Sequence, residues 1–289
     1  MLMSFSRNAS RPEVQRLFPT TYRLAIAAWV LAVTTHAASV DAGVLYGTQI
    51  DGPATLLDVN QSTGAGTGIG LIGIDSIGGL AFDTNSNTLY GSQSFGGDSL
   101  VVFNTSTGAG SSVGSLGFDD VRGLAFDPNT NTLYGVQADS NSVLLTINTT
   151  TGAASTVGLS GFASVNGLAF DPNTNTLYGV QGAGSDGLLT INTSTGAGSL
   201  IGTTGSASGQ MEGLAFDPDT NTLFGLDGGP TDALVTLNTS TGAETIMGAV
   251  GFDNVRGLAF DSAVPEPTTF VLALLGMLTL LRGGRRRQR

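Results

Sequence analysis

Five copies of Gly-Leu-Ala-Phe-Asp, beginning at Gly79, Gly123, Gly167, Gly213 and Gly257, set the terms on which this chain can fold. Their spacings are 44, 44, 46 and 44 residues. That period fits a four-stranded propeller blade and is too long for one coil of a leucine-rich or hexapeptide solenoid. Within a copy, Gly-Leu-Ala-Phe reads as a short strand, Asp-Pro-Asn-Thr-Asn as a turn, and Thr-Leu-Tyr-Gly-Val as a second strand. Residues 144–148 and 155–158, joined by a Thr/Gly hairpin at 149–153, supply two more. A blade is covered on both faces, so its strands should be apolar on both sides, as Leu124, Ala125, Phe126, Leu133 and Tyr134 are. Gly123 and Ala125 are small enough for inner strands to crowd around an axis.

The ends of the array carry the topology. Residues 43–78 hold the later strands of a unit with no Gly-Leu-Ala-Phe before them, and 257–261 hold only that missing strand. Four complete units (79–122, 123–166, 167–212 and 213–256) and this composite predict an all-β, five-bladed propeller over residues 43–263. It is closed by pairing the C-terminal strand with the N-terminal ones. Closure removes the inner edge that an open stack exposes. A parallel solenoid with two coils per repeat is the alternative, and it leaves the split units without a reason. The repeats are similar to non-WD propeller repeats in which a Gly-Leu/Ile-Ala-Phe/Val-Asp strand precedes a Leu-Tyr-Gly strand. That resemblance implies a fold and no particular activity.

Charge narrows the partners. The chain has 22 acidic residues and 11 arginines, with no lysine. Nine arginines lie in the two ends, leaving 19 acids against Arg122 and Arg256 within 43–263. Such a body repels nucleic acid and anionic lipid. The absence of cysteine excludes disulfides, thiolate metal sites and a cysteine nucleophile, and the one histidine, His36, falls in the N-terminal segment. No Ser-His-Asp arrangement can be assembled in the body.

Residues 1–42 read as a signal peptide. Arg7, Arg11, Arg16 and Arg23 precede an apolar run at 24–33 and then small residues, with cleavage after Ala37 or Ala42. The run is too short to span a bilayer; an uncleaved anchor is the alternative. At the other end, Val264, Pro265, Glu266 and Pro267 precede an apolar segment at about 268–281 and a terminus carrying Arg282, Arg285, Arg286, Arg287 and Arg289. The prolines end the sheet and hold an extended tether. Residues 264–281 are close to the minimum for a hydrocarbon core of ~30 Å, with the arginines kept cytoplasmic. This tail, residues 264–289, resembles the PEP-CTERM sorting signal of bacterial exosortase substrates. The resemblance implies that an exosortase-like, transpeptidase-type membrane enzyme recognises Val264, Pro265, Glu266 and Pro267 and removes the transmembrane helix. The protein is then delivered to the cell surface or an extracellular polysaccharide matrix. A plain C-terminal anchor is the alternative.

Two repeated polar motifs have structural explanations. The Asp-Pro-Asn-Thr-Asn turn spaces oxygens like the first half of an EF-hand loop, but Thr132 stands where that loop needs glycine and Ala138 where it needs glutamate. An Asx-type turn is therefore expected at Asp83, Asp127, Asp171 and Asp217 in preference to calcium ligation, and no cofactor or metal is expected. Asn104, Asn148, Asn192 and Asn238 each begin an Asn-Thr-Ser/Thr glycosylation acceptor, yet they also stand where each blade needs its last hairpin.

On the opposite face the loops depart from the repeat. The residues just before the inner-strand glycine, Gly78, Arg122, Asn166, Glu212 and Arg256, should ring one mouth of the channel, with Asp119, Asp120, Gln210 and Asp253 nearby. These residues are the candidate site: a polar pocket for a neutral or mixed-charge ligand such as a glycan, with two planar guanidinium forks. Alternatively the arginines only neutralise adjacent carboxylates. A glycosidase-type pair, Glu212 with Asp120 or Asp253, needs one raised pKa and a separation of roughly 5–9.5 Å. The expectation is an exported, non-catalytic surface or matrix protein that binds glycan or protein. A carbohydrate-active enzyme and a purely structural spacer are the alternatives.

Overall fold

The computed structural model describes residues 43–94, 97–182, 186–206, 208–229 and 231–262. The expected signal peptide, the Pro-Glu-Pro tail and its apolar segment lie outside these residues. No helix among the described residues is long and apolar enough to cross a membrane.

Among the described residues, twenty strands form five four-stranded antiparallel sheets. Blade 1 contains β1 (Val44–Gln49), β2 (Thr55–Val59) and β3 (Gly66–Leu71), with β20 (Val255–Asp261) as its inner strand. Blade 2 is β4 (Ile77–Asp83), β5 (Thr88–Gln93), β6 (Ser99–Phe103) and β7 (Gly110–Ser115). Blade 3 is β8 (Val121–Asp127), β9 (Thr132–Gln137), β10 (Val143–Ile147) and β11 (Ala154–Leu159). Blade 4 follows with β12 (Val165–Asp171), β13 (Thr176–Gln181), β14 (Gly187–Ile191) and β15 (Gly198–Thr203). Blade 5 is β16 (Met211–Asp217), β17 (Thr222–Asp227), β18 (Ala233–Leu237) and β19 (Glu244–Ala249). The fold is a five-bladed β-propeller, and its closure is the one expected: Leu45 pairs with Phe260, Tyr46 with Ala259 and Gly47 with Leu258.

The inner ring closes because glycine leaves room for it. A Cβ added at Gly79, Gly123, Gly167, Gly213 or Gly257 would lie 2.5–3.0 Å from backbone atoms of the next inner strand, the last of them meeting Leu80 and completing the circle. A second ring of close approaches lies at the rim, and the sequence reading missed it. The hairpin glycines Gly108, Gly152, Gly196 and Gly242, all at φ near +80°, press on the outer-strand glycines Gly70, Gly114, Gly158 and Gly202 of the preceding blade. Gly64 and Gly248 complete this ring. Outer strands are tied across each seam by one backbone hydrogen bond, such as Gly110 N–H to the Ile72 carbonyl and Gly66 N–H to the Val250 carbonyl, both 2.8 Å.

Between the rings lie apolar seams. Each buried cluster draws on two neighbouring blades; one joins Leu45, Leu57, Leu258 and Phe260 of blade 1 to Phe224, Leu226 and Leu234 of blade 5. Second-strand aromatics stack on the inner-strand phenylalanine of the next blade: Tyr46 on Phe82, Tyr178 on Phe216, and Phe224 on Phe260, with centroids 6.2, 6.4 and 6.5 Å apart. Such rings add packing geometry to their burial.

The Asp turns are Asx turns. Asp127 Oδ1 accepts the N–H groups of Asn129 (2.9 Å) and Thr130 (3.3 Å), while Oδ2 accepts the Thr130 hydroxyl at 2.6 Å. Asp83, Asp171 and Asp217 repeat the pattern. The turns also bridge blades, since Asn129 Nδ2 donates to the Pro172 carbonyl and to Asn175 Oδ1 at 3.0 and 2.7 Å. Asn104, Asn148, Asn192 and Asn238 build the last hairpin as expected, each Oδ1 accepting two N–H groups of its own turn.

Candidate functional site

The face opposite the Asp turns is shaped by a repeated bulge. In blades 2 to 5 the register between the first and second strands slips by one residue, leaving Gly78, Arg122, Asn166 and Glu212 without a cross-strand partner. Bulges re-aim side chains, and those of Arg122, Asn166 and Glu212 are turned out of the ladder where the strand enters the ring. In the closing pair the slip falls one residue later, so Arg256 pairs with Thr48 and Gly257, at φ +48°, takes the extra place. Ser76, Asp120, Ser164 and Asn254 hold left-handed conformations just before these strands. Short polar side chains tolerate that region best.

The charged side chains of these positions are engaged with one another or with neighbouring polar groups. Arg122 Nε and Nη2 grip Asp120 Oδ1 and Oδ2 at 2.8 and 2.9 Å, and Nη1 donates to Asn166 Oδ1 at 3.3 Å. Asn166 is buried and donates through Nδ2 to the Met211 carbonyl at 3.2 Å. Arg256 Nη1 donates to Glu212 Oε2 at 2.5 Å. Buried Asp232 accepts N–H bonds from Val255 and Gly229 and fixes the start of β20. Burial raises the Glu212 carboxyl pKa, while the Arg256 and Arg122 charges oppose the shift. Asp119, Gln210 and Asp253 occupy exposed loop positions around this circuit. Asp253 acts through its charge on Asp232.

The channel below the ring is narrow. The five Leu-Ala-Phe triplets line a space of about 50 Å³, enough for a few waters. Two larger hollows lie on the Asp-turn face, where the sequence reading placed no site. One of about 420 Å³ lies among Asn175, Thr176, Thr190, Asn192 and Thr193. The other, of about 240 Å³, lies beside Gly43, Asp58 and Gln61.

No protein-family model matches this sequence, and no curated protein matches it. Solved structures do share the fold. A chain of the nidogen/laminin complex is 14% identical with a TM-score of 0.55, the alignment covering 76% of this chain and 98% of that one. A structural-genomics protein of unknown function from Bacteroides thetaiotaomicron is 15% identical with a TM-score of 0.55, over 78% of this chain and 64% of that one. TolB from Acinetobacter baumannii is 11% identical with a TM-score of 0.50, over 82% and 71%. At these identities the likeness concerns architecture alone.

Proposed function

We propose that this chain is an exported, non-catalytic interaction module that engages a glycan or a surface protein through the loop face around Arg122, Asn166, Glu212 and Arg256. One observation carries the reading: both guanidinium groups on that face are already joined to carboxylates. The face offers balanced donors and acceptors, not a net charge for an ionic ligand. A carbohydrate-active enzyme is the second reading, favoured by the burial that raises the Glu212 pKa. It ranks below because Arg256 holds that carboxylate as an acceptor, and a general acid must instead present a proton to its substrate. A glycan array probed with the full-length protein and with Glu212→Gln separates the two. The binding module gives an array signal with the wild type and releases no sugar from any bound glycan. A hydrolytic rate that Glu212→Gln removes establishes the enzyme.

Delivery belongs to the same proposal. The N-terminal segment directs export, and the tail resembling PEP-CTERM signals presents Val264, Pro265, Glu266 and Pro267 to an exosortase-like enzyme, which releases the propeller to the cell surface or matrix. The expected intact mass of exported material corresponds to a chain ending near residues 265–267. A mass that includes the terminal arginines refutes processing.

A further inference from the structure

One of the five seams is built differently from the rest. After each outer strand comes a residue that plugs the seam: Ile74, Phe118, Phe162 and Phe252 in four blades, but Ser206 in blade 4. The first residue of the outer strand it faces is Gly66, Gly110, Ala154 or Gly198 elsewhere, and Glu244 in blade 5. The second strand ends in Gln49, Gln93, Gln137 and Gln181, but in Asp227 in blade 5. The loop between blades 4 and 5 is also two residues longer than its counterparts, which accounts for the single 46-residue spacing. Four departures meet at one place.

At two of the ordinary seams the plug ring packs against a glycine. The Phe162 ring would lie 2.8 Å from a Cβ added at Gly198, and the Phe252 ring 3.1 Å from one added at Gly66. At the exceptional seam, Ser206 and Ser208 both donate to Asp227 Oδ1 at 2.5 Å. Glu244 enters from blade 5 and Asp186 from blade 4; Glu244 Oε2 and Asp186 Oδ1 are buried without a hydrogen-bond partner among the described residues. The charged groups acting on Glu244 are Asp227, at the end of β17, and Asp186, just before β14, and both are acidic.

We infer that the seam between blades 4 and 5 is a proton-operated joint: a proton on Glu244 makes three carboxyl groups compatible across the seam, and its release sets them against each other. Burial first, then the charges of Asp227 and Asp186, push the Glu244 carboxyl up to about 7. A folded-state pKa above the unfolded one means that the native protein holds the extra proton. Stability therefore falls as pH rises from about 4.5 to about 7, then levels off. The contacts that loosen are those bridging the same seam: Glu244 N–H to the Thr204 carbonyl at 2.9 Å, and the approach of Gly242 to Gly202.

The test compares full-length wild type with Glu244→Gln, and with Glu244→Ala, which installs the residue blade 3 carries at Ala154. Thermal midpoints should coincide at pH 4.5 and diverge above pH 7, with Glu244→Gln higher by about 3–6 °C, a figure discounted for the partial exposure of the side chain. Hydrogen exchange places the effect. Between pH 5 and pH 8, protection of the Glu244 amide should drop by about tenfold relative to the equivalent Gly198 amide, after correction for intrinsic rates. Parallel midpoint curves for wild type and both variants, or an unchanged ratio of the two amides, overturn the joint.

Discussion

A chain truncated after Asn254 should show no cooperative thermal transition, while one truncated after Ser262 should melt within about 2 °C of the full-length protein. The first truncation removes β20, which blade 1 uses as its inner strand although it comes from the far end of the sequence. Val255, Leu258 and Phe260 are buried there, and each fully buried side chain of this size contributes about 1.5–3 kcal/mol. Domains of this kind have net stabilities of only ~5–15 kcal/mol. The loss also opens the ring twice, since β20 packs between the inner strands of blades 5 and 2. Circular dichroism and calorimetry of the two truncations decide the matter; a wild-type-like transition without β20 would falsify the closure argument.

Gly79→Val should lower the midpoint by about 6–12 °C or prevent folding. A Cβ there meets the Arg122 carbonyl at 2.5 Å and the Leu124 nitrogen at 2.8 Å, both main-chain atoms of a strand fixed on its other side. Overpacking a core typically costs ~1–3 kcal/mol, and more when backbone and not a flexible side chain must yield. Gly167→Val, on another part of the ring with Gly213 at 2.9 Å, should behave alike. Thr156→Val, on an exposed outer-strand position, should change stability by less than about 0.5 kcal/mol. Equal melting of Gly79→Val and Thr156→Val refutes the crowded ring.

These two experiments address features that a linear reading exposes directly. A missing strand at one end and a surplus strand at the other fix closure, and a glycine recurring before each Leu-Ala-Phe announces close approach. The bulge was less legible. Its sign is that Arg122, Asn166 and Glu212, polar residues of unlike kind, occupy one repeat position inside an apolar strand, which a regular ladder does not allow. The pairing of Arg256 with Glu212 spans a blade and depends on the ring being closed, whereas Arg122 and Asp120 lie two residues apart. The rim contacts were hidden because their glycines also suit ordinary hairpins. The channel's narrowness follows from five backbones meeting, a quantity that composition does not report. At the polar seam all the exchanged residues are visible in the repeats, but only their convergence on one junction gives them a common cause.

The pairing of Val44 with Asp261 has a consequence for presentation. Both ends of the propeller leave from the side that bears the Asp turns, next to each other, and the bulged ring of Arg122 and Glu212 lies on the reverse. Were the chain tethered at either end, as the proposed delivery requires, the Asp-turn side would be the one nearer the tether. On that proposal the regular turns of the repeats would lie toward the tether and the irregular loops away from it.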